Sequence, residues 1–209
     1  MSGAPYVIDD SARSEDADLW FALPPGFVPL PLQELTTVGR DPEEATAQPA
    51  ALGPVLRLAQ LLLEAGAVHC CLGLHSDDEG GGGPLLSLFT LAWRDTRWAP
   101  RSVLAARAVC GAADNADHVE ILDLPCGPGS LMETRVAAPQ ELGPAVACRL
   151  LQITAYIPCA DGRRIAVLSL ATTHTEQASH YRALLTDIAG TVSFENPLPD
   201  VSSGVPDKD

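Results

Sequence analysis

The stretch from Cys148 to Phe194 reads CRLLQITAYIPCADGRRIAVLSLATTHTEQASHYRALLTDIAGTVSF. Two apolar runs flank Asp161-Gly162, a dipeptide that is a strong short-range signal for a β-hairpin. The second run, Ile165–Ala171, is apolar on both of its faces. A strand buried on both faces needs cover on both sides of its sheet. The stretch therefore predicts a hairpin inside a sheet that carries helices on two faces.

A helix is predicted directly after this hairpin. Four apolar side chains share one helix face at positions i, i+3, i+4 and i+7: Tyr181, Leu184, Leu185 and Ile188. Thr173 with Glu176 three residues later fits a capping box at the start of the helix. Gly190 fits a glycine stop at its end. We expect this helix to pack back onto the hairpin.

Two more hairpins and two more helices are predicted upstream. The hairpins pair Ala67–His75 with Leu85–Trp93, and His118–Pro125 with Ser130–Ala137 around Cys126-Gly127-Pro128-Gly129. The helices run from Val55 to a stop at Gly66, and from Ser102 to Ala112. Short extended pieces are expected at Trp20–Ala22 and Phe27–Leu30. Together these elements predict an α+β sandwich, in which an antiparallel sheet of six to seven strands has helices on both faces.

The composition divides the chain into three parts. Residues 1–18 are predicted to be a flexible acidic arm, residues 19–196 a single α+β domain, and residues 197–209 a disordered tail rich in Pro, Ser, Gly and Asp. No apolar run is long enough for a membrane helix, and the acidic start lacks the apolar segment of a signal peptide. We therefore expect a cytoplasmic protein with no membrane insertion.

The charge of the chain is strongly negative. It has 27 acidic and 13 basic residues, for a net charge of −14, and Lys208 is its only lysine. This balance argues against nucleic acid as the main partner and favours solubility or a basic protein partner. The use of arginine with abundant Ala, Gly and Pro resembles proteins of high-GC bacteria such as actinobacteria.

The cysteines are predicted to be structural thiols in the reduced state. There are six of them, an even number, but the chain is long and carries no secretion signal. No disulfide is therefore expected among Cys70, Cys71, Cys110, Cys126, Cys148 and Cys159.

Several motifs resemble a known family. The extended FALPPGFVPLPL segment, the meander of hairpins, the strand end at Leu168–Thr173, the helix over 175–189 and the closing Val192-Ser193-Phe194 are similar to the PsbP-like superfamily, which includes the Ran-binding Mog-type proteins. The resemblance implies an α/β/α sandwich and a binding or assembly role rather than catalysis. It supplies no catalytic signature. Some actinobacterial relatives are associated with type VII secretion, which gives one alternative function.

Residue spacing does not favour a metal or phosphate site. His69, Cys71 and His75 share a strand face, but no CxxC motif accompanies them. Asp77-Asp78-Glu79 lacks the spacing of a calcium loop. Neither Gly80–Gly83 nor Cys126–Gly129 carries the GK[ST] of a phosphate loop. These residues are therefore interpreted as strand and turn positions, with no metal or cofactor assigned.

Residue spacing does not favour a catalytic pairing either. Cys126 and His118 are eight residues apart with no visible oxyanion arrangement. His174 and His180 flank the last helix without an obvious nucleophile. No catalytic residue is assigned, and the chain is not expected to be an enzyme.

The leading hypothesis is a non-catalytic protein that binds another protein, as an assembly or chaperone-like accessory. One alternative is an enzyme or small-ligand binder with a pocket between sheet and helices, which predicts converging polar groups. The other is an accessory component associated with type VII secretion. The protein-binding hypothesis predicts an exposed apolar patch or sheet edge instead. The identity of the partner and the oligomeric state stay open.

Overall fold

A seven-stranded antiparallel sheet organises the computed structural model, which describes residues 19–31, 52–76, 84–111, 113–137 and 149–197. The strands are β1 (Phe27–Pro29), β2 (Ala67–Ser76), β3 (Pro84–Asp95), β4 (His118–Leu124), β5 (Gly127–Ala137), β6 (Arg149–Pro158) and β7 (Arg164–Thr172). Their order across the sheet is β1-β2-β3-β7-β6-β5-β4. The helices are α1 (Leu52–Glu64), α2 (Arg101–Cys110) and α3 (Ala178–Gly190). The predicted α+β fold with an antiparallel sheet is confirmed.

Strand β7 lies in the middle of the sheet, as its sequence requires. It pairs with β3 on one side and β6 on the other. Leu168 and Leu170 are almost fully buried on the face that carries α3, while Ile165 packs in a separate cluster with Leu104 of α2. Helices therefore cover both faces, and the apolar character of β7 has the expected cause.

The face under α3 holds the main core. Tyr181, Leu185 and Ile188 of α3 are almost fully buried against apolar residues of β6 and β7. Leu184, which was expected on the same face, is only half-buried at its edge. On the opposite face α2 packs on β5 and β6, and Ala59 of α1 packs on Cys70 of β2.

The ends of helix α3 differ from the prediction. Thr173 and Glu176 form no capping box; a short 3₁₀ turn at Thr175–Gln177 precedes the helix, and the Oγ1 of Thr172 accepts the backbone N–H of His174 at 3.2 Å. Gly190 is inside the helix and does not adopt the left-handed conformation of a glycine stop. The hydroxyl of Thr191 instead donates to the carbonyl of Ile188 at 2.7 Å, which closes the last turn.

Two hairpin turns also differ from their predicted form. The turn between β4 and β5 is at Pro125 and Cys126, and residues 127–129 already belong to β5, where Pro128 lies opposite Asp123. The link between β6 and β7 spans residues 159–163, longer than a two-residue turn. In that link Asp161 accepts the backbone N–H groups of Arg163 and Arg164 at 2.8 and 3.3 Å.

The first described segment crosses the α3 face and leads to the short edge strand β1. The expected strand at Trp20–Ala22 is a single bridge between Trp20 and Ser193, with backbone hydrogen bonds of 2.8 and 2.9 Å. Phe21 and Phe27 lie beside Phe89 in the core. The first and last described segments therefore meet at the C-terminal end of α3.

Candidate functional site

Strand β4 forms one edge of the sheet and exposes apolar side chains. Among the described strands it pairs only with β5. Leu122 and Leu124 are buried under the sheet on the α3 face, whereas Val119 and Ile121 point to the other face and are 39% and 60% exposed. Helix α2 covers β5 and β6 on that face but leaves Ile121 open. An unpaired strand with exposed β-branched side chains is a template for pairing with another chain.

The same edge carries negative charge. Four exposed acidic residues lie along β4 and the turn before it: Asp114, Asp117, Glu120 and Asp123. The sequence has no Lys or Arg between Ala108 and Thr134. Asp117 pairs with Arg135 at 3.0 Å, and His118 lies 3.4 Å from Glu120. We call Val119, Ile121 and these four acidic residues the β4 edge.

Strand β5 holds the β4 edge in place. The hydroxyl of Ser130 is fully buried and donates to the carbonyl of Ala105 in α2 at 2.7 Å. On the other face Glu133 is buried, with its carboxylate 3.4 Å from both Arg135 Nη1 and Arg182 Nε. Strand β5 is therefore joined by side-chain contacts to a helix on each face, and β4 pairs with this strand.

A second surface lies at the end of the sheet where β3 stops and β7 starts. Trp98 is 67% exposed there, the largest exposure among the large apolar side chains of the described residues. Its indole lies against Gly162, because a Cβ built on Gly162 would come 3.2 Å from Nε1 of Trp98. Backbone hydrogen bonds from Thr96 to Arg163 and from Ala99 to Gly162 fix this segment against the β6–β7 link.

Two exposed arginines belong to the segments that meet at Trp98: Arg97 precedes it in the chain, and Arg163 follows Gly162. Arg94, Arg97 and Arg163 are exposed, and the guanidinium of Arg164 lies 5.0 Å from the ring centre of Trp93. Two acidic side chains accompany them: Asp95 is opposite Arg164 in the ladder, and Asp161 accepts hydrogen bonds inside its own turn. Arg94 and Arg164 point to opposite faces of the sheet, over the rings of Tyr156 and Trp93, and Arg164 lies 3.7 Å from Asp161. We call Trp98 with Arg97 and Arg163 the Trp98 surface. Because Arg164 lies opposite Asp95 and close to Asp161, the charges of Arg97 and Arg163 leave this surface net positive.

The negative charge of the chain is unevenly distributed. The described residues contain 11 acidic and 10 basic side chains, so they are nearly neutral. The remaining residues contain 16 acidic and 3 basic side chains. The net charge of −14 therefore does not describe the residues of the sheet and its helices, in which acidic side chains are concentrated at the β4 edge.

The histidines and cysteines of β2 face the core. His69 and Cys71 share the α3 face, with Nε2 and Sγ 3.1 Å apart, while Cys70 packs on the opposite face. The ring of His75 lies 5.0 Å from Phe27, and burial together with nearby His180 lowers its pKa. Neither Nε2 of His75 nor Oγ of Ser87 has a hydrogen-bond partner among the described residues. Ser87 is only 3% exposed, so a substrate has no access to its hydroxyl.

Among the other candidate residues that the structure describes, only His180 lies near another candidate, with its ring centre 6.5 Å from that of His75. Cys126 follows the end of β4, whereas His118 is at its start, and the seven-residue strand separates them by roughly 20 Å. His174 lies before the 3₁₀ turn, 3.6 Å from Glu176, and His180 is in the first turn of α3. Asp77-Asp78-Glu79 and Gly80–Gly83 are outside the described residues.

The cysteines and possible ligand groups give the following picture in the described segments. No disulfide joins any two of the cysteines in these segments, Cys70, Cys110 and Cys126 are free thiols, and Cys148 lies outside those segments. Burial raises the pKa of Cys70 to about 11, which keeps this thiol protonated. No three His, Cys, Asp or Glu side chains of these segments are grouped so that they could hold a metal ion. None of their helices is long and apolar enough to cross a membrane.

Comparison with known proteins does not assign the chain to a family. No protein-family model matches it, and no curated protein matches it significantly. One solved structure with a partly similar shape is a protein of unknown function, PA94 from Pseudomonas aeruginosa, at a TM-score of 0.34 and 13% identity. The match covers 54% of this chain and 75% of that one. A likeness at this level carries no argument, so the PsbP-like resemblance stays a prediction.

Proposed function

We propose that the protein is a non-catalytic binding protein of the cytoplasm that adds an extended segment of a protein partner to its β4 edge. The observation that carries this proposal is the exposure of Val119 and Ile121 on a seven-residue edge strand. Main-chain hydrogen bonds to such an edge give affinity, and the alternating side chains give specificity. The proposal agrees with the binding and assembly roles that the PsbP-like resemblance implies.

The chemistry of the edge defines the partner segment. An added strand would place apolar side chains beside Val119 and Ile121 on one face of the sheet. The carboxylates of Glu120 and Asp123 would meet basic side chains, because no Arg or Lys of β4 competes for them. The partner is therefore an extended segment with apolar residues beside Val119 and Ile121, and with basic residues beside Asp123 on the same face and beside Glu120 on the other. Electrostatic complementarity of this kind raises the association rate and weakens with salt.

The test uses Ile121→Glu with Val68→Glu as its matched control. Both side chains are β-branched, lie in strands of the sheet and are 60% exposed, so neither substitution should unfold the protein. Affinity purification from the native host, followed by titration of the captured partner, gives the two affinities. We expect Ile121→Glu to weaken binding about tenfold or more, about 1.4 kcal/mol, and Val68→Glu to leave it unchanged.

Hydrogen exchange locates the contact. Binding should slow the exchange of alternate amides of β4, those that point away from β5, without slowing amides at β1 on the opposite edge. Equal losses of affinity in the two variants, or protection elsewhere with β4 unchanged, would exclude this edge. A small molecule that co-purifies in a pocket, with no protein bound, would favour the ligand-binding alternative instead.

A further inference from the structure

We propose that the Trp98 surface is a docking site for the N-terminal acidic segment of the same chain, with Tyr6-Val7-Ile8-Asp9-Asp10 as the residues that bind. This contact is separate from the β4 edge and does not depend on its function. The aromatic and aliphatic side chains would cover the indole of Trp98. The two aspartates would pair with Arg97 and Arg163.

The surface has the composition of a binding site rather than of ordinary solvent-facing residues. Tryptophan and arginine are the side chains most enriched at energetically important contacts. Trp98 presents a largely exposed indole, and the backbone hydrogen bonds of Thr96 and Ala99 hold the segment of Arg97 next to the segment of Arg163. The nearby Asp161 already accepts two backbone N–H groups and lies 3.7 Å from Arg164. The remaining arginine charge favours an anionic partner segment.

Residues 1–18 match this surface better than any other part of the chain outside the described residues. They contain five acidic residues and one arginine. Tyr6 is the only aromatic residue of the whole sequence that lies outside the described segments. It stands directly before Val7 and Ile8, and the acidic pair Asp9-Asp10 follows. The acidic segments at 77–83 and 198–209 have no aromatic residue, so they offer charge without an indole-covering side chain.

The chain leads to this surface. Trp20 is bridged to Ser193, and the ring of the next residue, Phe194, lies 5.9 Å from the guanidinium carbon of Arg101. Arg101 is the first residue of α2, three positions after Trp98. The eleven Cα–Cα steps from Ile8 to Leu19 can span roughly 36 Å at about 3.3 Å a step. Asp9 and Asp10 can therefore reach the arginines without any change in the described fold.

Because the N-terminal segment is part of the same chain, a weak contact is sufficient to keep it bound to the Trp98 surface. Exposed ion pairs are individually weak, but a short linker gives an effective concentration on the order of millimolar. An intrinsic Kd of ~0.1 mM would then keep the segment docked about nine-tenths of the time. The contact should loosen in about 1 M salt, where the Debye length falls to about 3 Å.

The test uses the near absence of lysine. In the full-length chain, Arg97→Lys places a primary amine on the Trp98 surface, and Lys208 is the only native lysine. A zero-length carbodiimide joins amines to carboxylates in direct contact. After trypsin digestion, we expect a cross-link from position 97 to the peptide of residues 1–13. The matched control, Arg107→Lys on the exposed side of α2, should give no such cross-link.

A second experiment measures the solvent exposure of the Trp98 indole. Trp20 is buried and Trp93 is half-buried, so quenching of tryptophan fluorescence by acrylamide reports chiefly on Trp98. The substitutions Asp9→Asn and Asp10→Asn together should raise the quenching at low salt to the value that the unaltered chain reaches in about 1 M salt. Asp200→Asn with Asp207→Asn removes the same charge from the C-terminal segment and should leave it unchanged.

Defined results overturn the proposal. Cross-links from position 97 only to Asp95 or Asp161, or to the C-terminal segment, would assign the surface another role. A mixture of ¹⁵N-labelled and unlabelled chains that gives mixed-isotope cross-links would assign it to a second copy. Unchanged quenching in the Asp9/Asp10 variant would also contradict it. Ile121→Glu should leave the cross-link intact, so failure of the β4 proposal and failure of this one are distinguishable.

Discussion

The carboxylate of Glu133 on β5 lies 3.4 Å from Nε of Arg182 on α3. Among the described residues, Glu133 is the only charged side chain that is buried. Arg135 contacts the same carboxylate at 3.4 Å and also pairs with Asp117 at 3.0 Å. The buried carboxylate of Glu133 thus connects β5, the strand next to the β4 edge, to helix α3 on the face of the sheet opposite to α2.

The first prediction concerns this ion cluster. Arg182→Met should lower the free energy of unfolding by about 1–2 kcal/mol, because Arg135 still neutralises Glu133. Arg135→Met combined with Arg182→Met should cost about 3 kcal/mol or more, since a buried carboxylate is then unpaired. Adding Glu133→Leu to the pair should recover much of that loss. Urea unfolding of the three variants gives the comparison, and additive costs without recovery would contradict it.

A second prediction compares two adjacent leucines of α3. Leu185 is 0% exposed and Leu184 is half-buried at the edge of the same cluster. Leu185→Asp should cost several kcal/mol, because it buries an unpaired carboxylate in the main core. Leu184→Asp should cost clearly less, since its side chain can turn toward water. Thermal melting measures both, and equal losses would mean that the helix is rotated from its described orientation.

A third prediction contrasts two glycines. Gly162 has a φ of +65°, and a Cβ there would lie 2.7 Å from the carbonyl oxygen of Ala99. Gly162→Ala should therefore be destabilising by more than about 1 kcal/mol. Gly190 is the last residue of α3 and has open space around its Cα, so Gly190→Ala should be neutral or stabilising by up to about 1 kcal/mol. Opposite signs in chemical unfolding are the expected result.

A fourth prediction concerns His75 and pH. Burial, aided by repulsion from His180, lowers the pKa of His75 below its ordinary value of 6.5. As the pH falls, the imidazole of His75 therefore becomes protonated in the unfolded chain at a higher pH than in the folded one. The free energy of unfolding should thus decrease below about pH 6.5, and the contribution of His75 should be fully present above that pH. His75→Phe should remove this part of the pH dependence, because the ring still packs beside Phe27. His118→Gln, at the start of β4, is the control and should retain it.

The sequence predicted those structural elements in which a residue pattern has a single physical cause. Ile165–Ala171 is apolar on both faces, and the sheet indeed has helices on both sides of β7. The hairpins follow from local alternation and turn residues. The capping box was wrong because Thr172, one position earlier, supplies a hydroxyl to the backbone, and a 3₁₀ turn replaces the expected first turn. Such competition between neighbouring hydroxyls is not readable from spacing.

The two surfaces were harder to predict. Val119 and Ile121 alternate with acidic residues and look like any half-buried strand. That they are exposed depends on the strand order and on the position of α2, both set by contacts distant in the sequence. Trp98 resembles a core residue by its type, yet it lies against Gly162 and faces solvent. The whole-chain net charge of −14 conceals the local excess of arginine near Trp98. A net charge calculated for each segment of the sequence would have revealed that excess.

The bridge between Trp20 and Ser193 has a mechanical consequence. Its two backbone hydrogen bonds, and the 2.9 Å bond from the backbone N–H of Ala22 to the hydroxyl of Thr191, join the first and last described segments side by side. Tension applied at residues 19 and 197 would act first on these three hydrogen bonds and would break them one after another. The hydrogen bonds between the strands of the sheet would bear no force until then. A domain closed in this way can be placed within a longer polypeptide as an insert, because its two attachment points are already adjacent.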